Sequence, residues 1–367
     1  MKVACVVGAR PNFMKIAPIV EAMGEAPTLT PFLIHTGQHY DAAMSKVFFD
    51  DLGLPRPDLY LGVGSDSHTR QTARIMTAFE DLIEEHGPDY ILVVGDVNST
   101  LAASLVAAKM RVRLGHVESG LRSNDRDMPE EVNRLVTDVL ADDLFTSCAD
   151  AAPNLVREGV AADRIHFVGN VMIDSLVSHR EQARGSGVLE RLGLEPRGYT
   201  LVTLHRPSNV DVAETFRGIL GALGELSREK PVVFPIHPRT RKRVAEFDLA
   251  DEVQRFPELR LAEPQGYLDF LKLMDNAALV ATDSGGIQEE TTYLGVPCLT
   301  LRLNTERPVT ITEGTNELVG VNPERILEAG RRALTGKAKR GTIPELWDGR
   351  SSRRIIEVLE RIAAGEV

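Results

Sequence analysis

The chain has 367 residues, 43% of them hydrophobic and 26% charged, which is enough for two packed domains with sizeable cores. Its 42 basic and 53 acidic residues leave a net charge of −11, which argues against nucleic acid or an anionic membrane as the main partner, so any anion has to be held by a local pocket. No stretch reaches the ~18 uninterrupted apolar residues of a membrane span, and "MKVACVVGARP" has neither the apolar run nor the cleavage region of a signal peptide, so a cytoplasmic protein is expected.

From the amino end, "KVACVVG", "FLIHTG", "YILVVGD", "VRLGHVE" and "RIHFVGN" read as strands, with helices such as "STLAASLVAAKM" and "PEEVNRLVTDVLAD" between them. After Asn170 the pattern restarts with "YTLVTLH", "PVVFPIH", "LRLAEP", "AALVATD" and "PCLTLR". Apolar strands alternating with helices imply parallel sheets covered on both faces. The expected fold is therefore α/β, with two doubly wound, Rossmann-like domains facing a cleft. Residues 1–169 form the first, 170–350 the second, and the amphipathic stretch 351–367 is expected to cross back to the first. The boundary is expected in the polar, glycine-containing region 169–198. Cys5, Cys148 and Cys298 are widely separated in apolar or mixed segments and read as buried thiols, not as a disulfide framework or a zinc site.

In open parallel sheets ligands sit beyond the carboxyl ends of the strands. Polar residues stand there repeatedly: Gly8 and Arg10 after the first strand, Asp96, Glu118, His205, His237, and Asp283 with Ser284. Each taken singly also suits an ordinary task, Asp283 or Ser284 capping a helix and Asp96 satisfying loop amides. The set drawn from both halves is what a catalytic site requires.

"VATDSGGIQEETTYLGVP" sharpens that expectation. Ser284 is placed as an N-cap, Gly285 and Gly286 permit close approach to the backbone, and free amides with the helix dipole favour an anion such as phosphate. An ordinary capped helix is the competing reading. Glu289 and Glu290 are poor phosphate contacts but suit ribose hydroxyls, and phosphate plus ribose describe a nucleotide. "GARPNFMK" also opens a helix after a strand, yet it is not G-x-G-x-x-G, and no G-x-x-x-x-G-K-[ST] occurs, which weakens dehydrogenase and P-loop readings. Arg10 and Lys15 instead offer cations for a diphosphate, as does Arg307 in "NTERP". His35 and His39 are four apart but not on a helix, so no metal site is expected.

The blocks "GARPNFMKIAP", "TGQHYD", "GDVNSTLA", "GHVESGLRS", "MPEEVNR", "HRPSN", "PQGYLDF", "DSGGIQEE" and "NTERP" resemble, in order and spacing, those of the non-hydrolysing UDP-N-acetylglucosamine 2-epimerases, from residue 3 to about residue 320. The resemblance implies a GT-B-like fold, a homodimer, a UDP-sugar substrate, and neither nicotinamide nor metal. It implies Arg10 and Lys15 near the diphosphate and sugar, Gln265 and Phe270 around the uracil, Ser284 and Gly285 on the phosphates, Glu290 on the ribose and Arg307 on the sugar side. It also implies catalytic roles for Asp96, Glu118, Glu130 and His205. Only Glu130 departs from the reading of the residues alone, where it is a dipole-favouring acid beside Pro129 at a helix start.

In that family UDP leaves C1 as the C2 proton is lost, giving a glycal with a C1–C2 double bond, and UDP re-adds after protonation of the other face. This requires a base and an acid on opposite faces and stabilisation of departing UDP, with domain closure retaining both fragments. Asp96, Glu118 and Glu130 are candidates for the proton transfers, and His205 and Arg10 for the leaving diphosphate. The best-known members carry Glu where this chain has Asn12 and a threonine run where it has "DVNST". "TGQHYDAAMS" lacks some polar residues tied to activation by substrate, so allostery is not expected. "GARP" and "NST" also occur in relatives acting on UDP-2,3-diacetamido-2,3-dideoxy-glucuronate, which makes that sugar the leading rival substrate. Rival functions are a GT-B glycosyltransferase, which would need an acceptor groove in the first domain where this chain offers Asp96, Glu118 and Glu130, a hydrolysing epimerase, whose relatives lack the "RPNFMK" kind of opening block, and a binding-only nucleotide-sugar sensor.

Overall fold

The computed structural model describes residues 1–37 and 55–366, and of Arg10 the backbone only. The readings placed on His39 and on "TGQHYDAAMS" beyond Gly37 lie outside the described residues. The chain divides into two compact units: Met1–Ser178 together with Glu345–Val367, and His179–Pro344.

Unit 1 is built on seven strands, β1 Lys2–Val7, β2 Thr30–His35, β3 Leu59–Tyr60, β4 Tyr90–Val94, β5 Arg113–Ser119, β6 Asp143–Thr146 and β7 Ile165–Phe167, in the spatial order 3-2-1-4-5-6-7. Every pairing is parallel. β1 and β4 are nearly wholly buried because helices cover both faces, which is why "VACVV" and "YILVV" are apolar without alternation. The core beneath one face joins Val6, Ile34, Phe79, Ile91, Val93, Val106 and Leu144. Unit 2 has six strands, β8 Thr200–Thr203, β9 Val232–Pro235, β10 Leu259–Ala262, β11 Leu279–Thr282, β12 Cys298–Thr300 and β13 Asn316–Leu318, also parallel throughout, in the order 10-9-8-11-12-13. Its core gathers Val202, Phe216, Leu223, Phe234, Leu279 and Ile326.

Both sheets are thus doubly wound, and each reverses its strand order once: between β1 and β4, and between β8 and β11. At such a reversal the flanking loops diverge to opposite faces and leave a crevice at the strand ends.

Helices form where the caps allow. His68–His86 starts at Ser67, whose side chain accepts from the Arg70 amide, and stops at the left-handed Gly87; it buries Ile75, Phe79, Leu82 and Ile83 at three- and four-residue spacing. The last helix, Ser351–Ala363, returns to unit 1 and buries Ile355, Ile356, Leu359 and Ile362. Asp174 caps it through the amides of Ser351 (3.1 Å) and Ser352 (2.7 Å), and just before it Trp347, 2% exposed, donates its indole N–H to the Ser147 carbonyl at 2.9 Å. Among the described residues no helix is long and apolar enough to cross a membrane.

Candidate functional site

In unit 1 the reversal between β1 and β4 collects buried polar groups. Gly8 follows β1 because a Cβ there would stand 1.9 Å from Ser99 Oγ. Ser99 Oγ also lies 2.7 Å from Thr36 Oγ1, so "NST" packs against the first turn. Asn12, 2% exposed, is spent structurally: its side chain accepts from the Ala9 amide (3.2 Å) and donates to the Val94 carbonyl (2.8 Å), tying the helix Arg10–Gly24 to the end of β4. Lys15, one turn further, forms a buried ion pair with Glu118.

Glu118 has an uncommon backbone. It sits at φ 69° where the β5–β6 register shifts between Val117 and Ser119, a bulge that turns its carboxylate away from regular alternation. A non-glycine residue held in the left-handed region costs on the order of 1–3 kcal/mol and is over-represented at functional sites. Asp96, beyond β4, is half-exposed and receives Arg134 Nε and Nη2 at 3.0 Å, a charge-assisted contact that orients the carboxylate. Arg134 lies on the helix Pro129–Leu140, which turns Glu131, Asn133, Arg134, Thr137 and Asp138 inward and leaves Val132 and Val139 exposed. Of the adjacent acids, Glu131 is buried, accepts the Ser123 and Asn124 amides at 3.0 and 2.9 Å and pairs with Arg134, whereas Glu130 is half-exposed in the first turn. Glu131 therefore holds a loop, and Glu130 stays partly exposed.

In unit 2 the reversal between β8 and β11 places His205 beside Asp283. Asp283 is fully buried; it accepts the amides of His205 (3.1 Å) and Arg206 (3.0 Å) and the Asn209 side chain (3.2 Å), and its Oδ1 lies 2.9 Å from His205 Nδ1. The imidazole is thereby fixed through Nδ1, with its side chain 57% exposed. Asp283 thus caps the β8 loop and not the helix after β11.

That helix is Gly285–Leu294, and Ser284 is its N-cap without making a side-chain capping bond. A Cβ on Gly285 would stand 2.5 Å from Arg307 Nη1, so the glycine admits a guanidinium against the helix start. Arg307 is buried between Glu289 (2.7 Å) and Glu306, and Glu306 also pairs with Arg302 at 2.8 Å. Gly286 is half-buried in the same turn.

Glu290 takes a different partner, the Tyr267 hydroxyl at 3.0 Å, and its burial, against that hydrogen bond and with Glu289 beside it, raises its carboxyl to about 8. Gln265 donates to the Glu263 carbonyl at 2.7 Å, and Phe270 is half-buried in the following helix Tyr267–Asp275. His237 is the N-cap of Pro238–Glu246, its Nδ1 accepting from the Arg239 amide at 3.2 Å; burial, then the nearby His205 and Arg239 charges, lower its ring below the usual range.

The expected residues thus fall into two constellations: Lys15, Asp96, Glu118 and Glu130 with the backbone of Arg10 in unit 1, and His205, His237, Gln265, Phe270, Ser284, Gly285, Gly286, Glu290 and Arg307 in unit 2. Reading the sequence missed Arg134, Tyr267 and the orienting role of Asp283. The signal for Arg134 is its spacing from Glu130 and Glu131, four and three residues respectively on a helix. Among the described residues no group of three or more His, Cys, Asp or Glu side chains could hold a metal ion.

A family model described as UDP-N-acetylglucosamine 2-epimerase matches residues 21–360. The UDP-N-acetylglucosamine 2-epimerase of Methanococcus maripaludis is 40% identical over 363 residues, 98% of each chain. The UDP-2,3-diacetamido-2,3-dideoxy-D-glucuronate 2-epimerase of Pseudomonas aeruginosa is 40% identical over 366 residues, 99% of this chain and 100% of that one. The crystal structure of Methanocaldococcus jannaschii UDP-GlcNAc 2-epimerase in complex with UDP-GlcNAc and UDP superposes with a TM-score of 0.90 at 40% identity, covering 98% of this chain and 99% of that chain. Two doubly wound sheets, acids at one strand reversal, an oriented histidine at the other, and likeness along nearly the whole length lead to one conclusion: the chain belongs to the UDP-N-acetylglucosamine 2-epimerase family of isomerases.

Proposed function

We propose that the protein interconverts UDP-N-acetylglucosamine and UDP-N-acetylmannosamine without hydrolysis, by eliminating UDP to a glycal and adding it back. One observation supports this most. In a chain 40% identical to a UDP-N-acetylglucosamine 2-epimerase, the strand ends of unit 1 carry Asp96 and Glu118, each oriented by a buried cation. Removing and returning a C2 proton requires such a pair of acid–base groups.

In this reading Asp96, Glu118 and Glu130 serve the proton transfers. Unit 2 binds UDP: the amides after Ser284 with Gly285 and Gly286 take the phosphates, Glu290 with Tyr267 takes the ribose, and Gln265 and Phe270 take the uracil. Arg307 and Lys15 face the sugar side, and His237 lies beside the β9 end. His205, held by Asp283, and Arg10 stabilise the charge that develops on the departing diphosphate. No cofactor or metal takes part. A second copy of the chain covers the apolar outer face of Pro129–Leu140, where Val132 is 42% and Val139 66% exposed; light scattering that returns only the 40.3 kDa monomer mass would remove this part of the proposal.

The 40% identity to the Pseudomonas aeruginosa enzyme supports a second substrate, UDP-2,3-diacetamido-2,3-dideoxy-glucuronate. The deciding experiment is NMR of the purified protein with each UDP-sugar in deuterated water, without added metal or nicotinamide. UDP-N-acetylmannosamine carrying deuterium at C2, with little free sugar, is the expected result. Exchange only with the diacetamido-glucuronate sugar would transfer the reading to that substrate, and release of free N-acetylmannosamine would make the enzyme hydrolysing. Absence of both exchange and product with either sugar would overturn it.

A further inference from the structure

Behind the carboxylates of unit 1 lies a charged cluster that the reaction above does not use. His116, on β5 and fully buried, has Nε2 2.8 Å from the Gly95 carbonyl and Nδ1 2.6 Å from Asp138 Oδ1. A carbonyl oxygen only accepts, so Nε2 donates. Asp138 receives the Gly120 amide at 3.0 Å and Arg122 Nη2 at 2.7 Å on its other oxygen, and Arg122 pairs in turn with Glu158 at 2.6 Å. Burial alone would raise the Asp138 carboxyl, but the facing His116 and Arg122 charges and the Gly120 amide bring it below its ordinary value. Both ring nitrogens of His116 are therefore engaged, Nε2 by the Gly95 carbonyl and Nδ1 by the Asp138 carboxylate. Arg122 stands between the carboxylates of Asp138 and Glu158, and His116 closes the cluster on the far side of Asp138.

Its position gives it a task. Gly95, Glu118 and Gly120 all have left-handed backbones, at φ 67°, 69° and 78°. Gly95 immediately precedes Asp96, and its peptide groups are clamped on both sides: its N–H donates to the Val117 carbonyl at 3.0 Å and its C=O accepts from His116. Two residues beyond Glu118, the Gly120 amide is held by Asp138. A Cβ on Gly95 would stand 3.1 Å from Lys15 Nζ and 3.6 Å from Glu118 Oε2, so the two turns lie against each other. A left-handed non-glycine residue such as Glu118 persists only where the surroundings over-determine it. Here one buried ion cluster reaches the turn that carries Asp96 and the bulge that carries Glu118.

We infer that His116 and Asp138, backed by Arg122, are positioning residues that set the mutual placement of Asp96 and Glu118 for proton transfer at C2. The inference rests on the epimerase reading. A displacement of about 1 Å at reacting groups can cost up to ~100-fold in rate, so kcat is expected to fall between about 10- and 100-fold when the clamp is removed.

The test compares wild type with His116→Gln, which keeps a donating nitrogen, His116→Leu, which keeps none, and Asp138→Asn. For each, kcat and KM for epimerisation, the Kd for UDP and the melting temperature are measured. The expected result is a graded kcat, wild type above His116→Gln above His116→Leu, with UDP affinity within about twofold of wild type, since UDP is assigned to unit 2. An unchanged kcat in His116→Leu, or a fall in kcat matched by an equal loss of folded protein with full activity in the folded fraction, would make the cluster purely structural and overturn the inference. A wild-type protein without epimerase activity would instead overturn the functional reading, which the wild-type assay alone decides.

Discussion

Glu289 and Glu290 are neighbours in sequence with opposite surroundings. Glu289 faces the Arg307 guanidinium at 2.7 Å, whereas Glu290 faces a phenol. Burial pushes Glu290 from its ordinary 4.5 to about 8, so between these values the folded chain holds a proton that the unfolded chain has released. The sign follows: stability from this group is complete below about pH 4.5 and is lost as pH rises through 8. Glu290→Gln is expected to flatten that dependence, so that denaturant midpoints of wild type and variant diverge in favour of the variant from pH 6 to pH 9, on the order of a few kcal/mol at most. Parallel midpoints across that range would show that Glu290 is ionised throughout. The residue types at this helix start were legible in the sequence, but their protonation was not, because consecutive helical side chains point about 100° apart and meet different neighbours.

At the level of elements, the helix Pro129–Leu140 reverses the usual rule. Its apolar Val132 and Val139 face outward, and its charged residues face the strand ends. Hydrophobic periodicity locates such a helix but turns it the wrong way, since an apolar face is normally the core face. Three strands also escape the sequence: β3 and β13, of two and three residues, and β6, whose "DLFT" begins with one acid and follows another. Asp143 begins β6 although it is buried, because the Tyr90 hydroxyl and Arg113 bond to it at 2.9 Å. Long apolar strands and their polar ends were legible because burial on both faces leaves a continuous signature. The helix Gly285–Leu294 offers a sharper test. Gly285→Ala places a methyl group on a guanidinium that two carboxylates pin, so Arg307 has to move. Overpacking of this kind costs ~1–3 kcal/mol, partly offset by about 1 kcal/mol of helix propensity. UDP affinity by calorimetry is expected to drop at least about tenfold, and an unchanged affinity would remove the helix start from the phosphate site.

At the scale of the whole molecule, the outward valines carry the quaternary prediction. Val139→Glu puts a charge in the middle of the proposed contact, and the variant is expected to scatter as a monomer while its far-ultraviolet spectrum stays that of wild type. A dimeric Val139→Glu would place the contact elsewhere. The passage from one unit to the other falls within the helix Val171–Arg184, between Ser178 and His179, where apolar "VMIDSLV" gives way to polar "SHREQAR".

Because residues 179–344 are inserted between the two parts of unit 1, order of synthesis and order of completion differ. A ribosome delivers the chain from its amino end, so unit 2 is whole before Trp347 and the last helix emerge. Until then the Ser147 carbonyl and the Asp174 carboxylate lack the groups that satisfy them in the finished protein. The first half to be translated is the last to be sealed, and a chain broken near its carboxyl end damages the unit that was begun first.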